Sequence, residues 1–151
     1  MALTGYTRNG HCVATEGDAG SHHICINMAS LNGENFCTVT GQPDWCSSSM
    51  PCDGDRTRVC PVQSWCVCEW AFARYIERAG GCDKIGHVDC AGTNLIALQH
   101  YRDAKQPHIQ AAYECLRKTC GIPDWDTLTA RLSQSSGSTT GLSQTDHTVL
   151  L

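Results

Sequence analysis

A chain of 151 residues with twelve cysteines and a formal net charge of −4 is one domain, or one domain with a tail. Its eleven Lys and Arg are scattered rather than gathered into the basic patch of a nucleic-acid binder. No run of about 18 apolar residues is present to span a membrane.

The opening residues 1–8 lack the apolar stretch of a secretory leader. Residues 1–30 read as β-structure with turns. Asn9-Gly10 between Tyr6–Arg8 and His11–Val13 predicts a β-hairpin, because this dipeptide accepts the positive φ angles of a type I′ turn. Residues 22–28 alternate loosely and predict a strand. Residues 31–63 are rich in Gly, Pro, Asn, Asp and Ser, and read as irregular chain that cross-links must order.

Residues 64–79 give the clearest helical pattern. Ser64 suits an N-cap, and Trp65, Cys68, Phe72, Ile76 and Ala79 form one apolar stripe before Gly80-Gly81. A second helix is predicted over 93–104. A third opens at Pro107, carries Ile109, Ala112, Tyr113 and Leu116 on one face, and stops at Gly121. Another short turn is expected from Pro123 to Leu132. Residues 133–151 are rich in Ser, Thr, Gly and Gln and read as a flexible tail, whose apolar end at Leu150 and Leu151 is a possible docking arm.

A chain this long buries a core without staples, so the cysteine density points to durability. Structural disulfides are expected among Cys12, Cys25, Cys37, Cys46, Cys52, Cys60, Cys66, Cys68, Cys82, Cys90, Cys115 and Cys120. Twelve cysteines allow roughly ten thousand complete pairings, so connectivity is left open. Cys82 and Cys90 bracket a short loop and are candidates for a local pair. Cys115 and Cys120 stand about 140° apart on a helix and call for different partners.

Cys66 and Cys68 decide between chemistries. On a helix they stand about 200° apart and bond to separate neighbours, which is the favoured reading. If the pair is extended, both side chains share a face, and a shared metal or a redox pair becomes feasible. Zinc is the alternative cofactor, with ligands drawn from Cys12, His22 or His23, Cys25, Cys66 and Cys68, although paired Cys-x-x-Cys knuckles are lacking. A thiol–disulfide redox protein built on Cys66 and Cys68 is the second alternative. The histidines offer material for a Cys–His nucleophile, but nothing in the sequence marks a pair as adjacent. Asp18, Asp44, Asp53 and Asp55 read as turn and cap residues. No catalytic residue is assigned.

Three blocks carry a resemblance: TGYTRNGHC at 4–12, DAGSHHICINM at 18–28 and WCVC at 65–68. Together they resemble a family of small bacterial and plant proteins described only as a domain of unknown function. The likeness spans roughly the first 105 residues, with a Cys-rich insertion between the second and third blocks. It maps onto Gly5, Arg8, Gly10, Cys12, Asp18, Gly20, His22, Cys25, Trp65, Cys66 and Cys68. It implies a compact α+β domain, and no activity or cofactor. The other eight cysteines lie outside this pattern, and an even number suits added disulfides.

The expectation is therefore a small disulfide-stapled α+β domain over 1–132, with N-terminal strands followed by three or four short helices, and a tail over 133–151. Its expected role is a non-enzymatic structural or interaction module with protein partners in a larger assembly. A virion, or another oxidising environment, would reconcile many disulfides with the absence of a recognisable leader.

Overall fold

The computed structural model describes residues 2–29 and 32–136. The elements run β1 (Ile24–Asn27), α1 (Phe36–Thr40), β2 (Ser49–Pro51), β3 (Val59–Pro61), β4 (Ser64–Val67), α2 (Glu69–Ala79), a 3₁₀ turn (Cys82–Lys84), α3 (Ile96–Arg102), α4 (Pro107–Thr119) and α5 (Trp125–Ser136). This is the expected small, disulfide-stapled α+β domain. Among the described residues, no helix is long and apolar enough to cross a membrane.

β1 and β4 pair antiparallel, setting Ile24 opposite Val67, Cys25 opposite Cys66 and Ile26 opposite Trp65. Because side chains alternate across a strand, Ile24, Ile26, Trp65 and Val67 share one face, and Cys25 and Cys66 share the other. The first face joins the core, where Phe72, Tyr75 and Ile76 of α2, Leu98 and Tyr101 of α3, and Ile109, Ala112 and Leu116 of α4 are all buried. The second face holds a small separate cluster of Cys12, Cys25 and Cys66. The loop after the 3₁₀ turn lies along the free edge of β1 through an Ile26–Val88 bridge. There Asn27 N–H donates to the His87 carbonyl at 2.7 Å.

Five disulfides staple this arrangement. Cys12–Cys66 ties the N-terminal segment to β4, and Cys37–Cys46 and Cys52–Cys60 close α1 and the β2–β3 hairpin. Cys82–Cys115 and Cys90–Cys120 fasten the 3₁₀ turn and the following loop to α4. Cys82 and Cys90 thus bond to the helix rather than to each other. Cys115 and Cys120 take different partners, as their helical positions require.

Several expectations shift. The strongest helical pattern begins at Glu69, not at Ser64, because residues 64–67 complete a ladder with β1, a setting that suits Trp65 and Val67. Cys66 is therefore on a strand and Cys68 is the N-cap of α2. The predicted hairpin at 6–13 is instead a compact loop. Gly5 and Gly10 adopt positive φ, Tyr6 stacks on His22, and the Arg8 guanidinium lies 4.6 Å over the Trp65 ring. The segment 31–63 is less irregular than its composition suggests, since it contains α1 and a hairpin. α4 starts at Pro107 as predicted. α5 continues through 133–136, where the tail was expected to begin. The remainder of that tail, including Leu150 and Leu151, lies outside the described residues.

Candidate functional site

The loop leading into β1 and the start of α2 meet above the end of the β1–β4 ladder. Ser21 joins them: its carbonyl accepts from His23 N–H at 2.8 Å and from Glu69 N–H at 3.1 Å. Ser21 has φ 49°, an uncommon value for a residue with a side chain. Gly20 precedes it because the His22 ring occupies its side-chain space; a Cβ there would stand 2.3 Å from His22 Cε1.

This turn aims His22 at Cys68. His22 Nε2 lies 3.2 Å from Cys68 Sγ, and His22 Nδ1 lies 2.6 Å from Asp18 Oδ1. Asp18 also accepts from the Gly20 N–H at 3.1 Å and the His22 N–H at 2.8 Å. Its side chain is 1% exposed. Burial opposes ionisation of Asp18, but the His22 backbone and ring hydrogen bonds, the His22 charge and the Gly20 N–H outweigh it and hold the carboxyl below its ordinary value. An ionised carboxylate only accepts, so Nδ1 carries the imidazole proton and Nε2 is left as the acceptor facing sulfur. The three residues form a Cys–His–Asp relay with the order thiol, base, orienting carboxylate.

Burial, then the Asp18 and Glu69 charges, push the Cys68 thiol upward against an opposing backbone hydrogen bond. The resting sulfur is thus a thiol, placed to donate to Nε2, rather than a thiolate. Cys68 lines a cleft of about 400 Å³ together with Gly20, Thr40, Gln42, Trp70 and Arg74. As α2 begins at Glu69, the N–H groups of Trp70 and Ala71 in its first turn have no intrahelical acceptor. Both residues line this cleft.

A buried network adjoins the relay. The Glu69 carboxylate, 0% exposed, meets His23 Nδ1 at 2.6 Å and His100 Nδ1 at 2.9 Å. The Tyr101 hydroxyl donates to the Glu69 carbonyl. His23, Glu69 and His100 are one of two clusters among the described residues able to offer three metal-ligating atoms. Their separations are hydrogen-bond lengths, shorter than the roughly 3.3 Å between two ligands that each sit about 2.0–2.1 Å from a tetrahedral ion. In the other cluster, Cys37 and Cys46 are bonded to each other, which leaves Asp44 without a thiolate beside it.

The twelve cysteines expected to be stapled divide differently: ten are paired, and Cys25 and Cys68 are free. The residues proposed for zinc also separate. Cys12 and Cys66 are bonded together, His22 holds Cys68, and His23 holds Glu69. With Cys66 bonded to Cys12, Cys66 and Cys68 do not form a vicinal pair. Cys25 is buried beside the Cys12–Cys66 bond. Burial, then the Asp89 charge, push its thiol up to about 11, and among the described residues no imidazole is hydrogen-bonded to it as His22 is to Cys68.

Asp18, read from sequence as a turn residue, both caps its turn and orients His22. Glu69 and His100 were not singled out. The one signal that joined the relay beforehand is the resemblance, whose second and third blocks contain Asp18, Gly20, His22 and Cys68.

The fold and site define a disulfide-stapled α+β domain carrying a Cys–His–Asp relay at a helix N-terminus. No protein-family model matches the chain, and no curated protein matches it.

Proposed function

We propose that this protein is a cysteine-nucleophile acyl-transfer enzyme that hydrolyses thioesters or activated esters. The observation that carries the reading is the alignment of Cys68 Sγ, His22 Nε2, His22 Nδ1 and Asp18 Oδ1 through contacts of 3.2 and 2.6 Å. In the first half-reaction, His22 Nε2 takes the thiol proton as sulfur attacks the acyl carbon, and Asp18 stabilises the imidazolium. The carbonyl oxygen becomes an oxyanion facing the first-turn N–H groups of Trp70 and Ala71. Collapse breaks the bond to the leaving group, which takes the proton from His22, and the acyl group remains on Cys68 as a thioester. Water then attacks that thioester and gives its proton to His22. The acid is released, and the imidazolium returns the proton to Cys68 sulfur.

Asp18, His22 and Cys68 are also among the mapped positions of the resemblance, which itself implies no activity. Mass spectrometry of the oxidised protein mixed with an acetyl thioester tests the acyl-transfer reading. One acetyl group is expected on Cys68, and none on the Cys68→Ala variant.

A second reading, a structural or interaction component of a larger assembly such as a virion, draws on the five disulfides. They suit a protein that must endure an oxidising setting. On that reading the oxidised protein gains no acyl mass.

A further inference from the structure

We propose that the site selects short acyl groups ending in a carboxylate, and that Arg74 binds that carboxylate; this rests on the acyl-transfer reading above. The cleft beside Cys68 contains one cation and no acidic side chain. Asp18, the nearby carboxylate, is turned away from the cleft into its contacts with His22 and Gly20. Arg74 is exposed and makes no ion pair or hydrogen bond with any described residue. The other arginines of α2, α3 and α4 are engaged: Arg78 donates to the Thr40 carbonyl, Arg102 pairs with Asp103, and Arg117 pairs with Glu114. In a chain of net charge −4, an unpaired guanidinium at the rim of a nucleophile's cleft is a specific local reversal of sign.

Cys68 and Arg74 line one cleft of about 400 Å³, which limits the acyl chain to a short one. Arg74 stands six positions after Cys68, an advance of about 9 Å along the helix axis. Six positions also turn about 120° around the axis, so thiol and guanidinium meet through the cleft that both line rather than along one helix face. Trp70, 49% exposed, supplies an apolar wall for the methylenes of the acyl chain. Guanidinium and carboxylate match as a two-pronged, charge-assisted pair, a contact that an uncharged chain end does not make.

The test compares two N-acetylcysteamine thioesters of equal carbon count, S-succinyl and S-butyryl, on the oxidised full chain. The succinyl substrate is expected to have a kcat/KM about tenfold higher, and Arg74→Gln to bring the ratio of the two close to one, the loss of one charge-assisted contact. Arg74→Lys should restore part of the ratio. Equal rates on the native protein, or an Arg74→Gln variant that keeps the preference, would overturn the anion proposal while leaving acyl transfer intact. If neither substrate turns over and Cys68 acquires no acyl mass, the acyl-transfer reading falls with it.

Discussion

Cys68 and His22 are 46 residues apart in the chain and 3.2 Å apart in space. They belong to different elements, the N-cap of α2 and the loop before β1. They meet because Ser21 hydrogen-bonds to Glu69 and because β1 pairs with β4. The proposed acyl transfer rests on this contact.

The two free thiols should differ sharply toward iodoacetamide. Cys68 is half-buried in an open cleft with a base beside it, whereas Cys25 is 5% exposed with its thiol pushed up to about 11. The native protein is expected to take one label rapidly, at Cys68, and a second only on unfolding. Peptide mapping of the first label is the check; early labelling at Cys25 would sink this assignment. His22→Ala should slow labelling at Cys68 and lower acyl turnover by on the order of 10²–10⁴.

Asp18→Asn tests the orienting role. The amide is nearly isosteric, but its N–H₂ favours the imidazole tautomer with the proton on Nε2, which cannot accept from sulfur. Acyl turnover is expected to drop by on the order of 10³–10⁴ with the fold retained. The same variant has a pH signature. Because the folded Asp18 carboxyl titrates below its ordinary value of 3.8, its stabilising contribution is complete above that value and is lost as pH falls through the folded one. Acid unfolding monitored by circular dichroism should therefore be less steep below about pH 4 in Asp18→Asn than in the native protein.

Gly20→Ala separates position from stability. The added methyl meets the His22 ring at 2.3 Å, and the ring, as the far end of a side chain, is able to swing away. Turnover and Cys68 labelling should both fall, while the denaturant midpoint moves little. A wild-type labelling rate would show that the ring holds its place by other means.

The disulfides should rank by the loops they close. Cys12–Cys66 spans 54 residues and Cys52–Cys60 spans 8. Chain entropy makes the longer loop worth about 1.7 kcal/mol more. Urea unfolding of the two double Cys→Ser variants is the measurement, and the Cys12/Cys66 variant should be the less stable.

Much of this protein is local, and to that extent it was legible in the sequence. Pro107 starts α4 and the residues before Gly121 end it, because helix caps are short-range chemistry. The opposed directions of Cys115 and Cys120 follow from helical rotation alone, cysteine density forecast the staples, and the order of predicted strands and helices forecast an α+β domain. The tertiary structure decided the rest. Residues 64–67 carry a helical pattern yet form a strand, because β1 offers them a ladder and a core face. That change moves Cys68 to a helix cap and leaves its thiol free. Which cysteines pair, and that Asp18, His22 and Cys68 align, depends on contacts between distant segments. Periodicity and capping report only on neighbours along the chain, so the presence of staples was legible in advance, while their number, their partners and the two free thiols were decided only when the chain closed on itself.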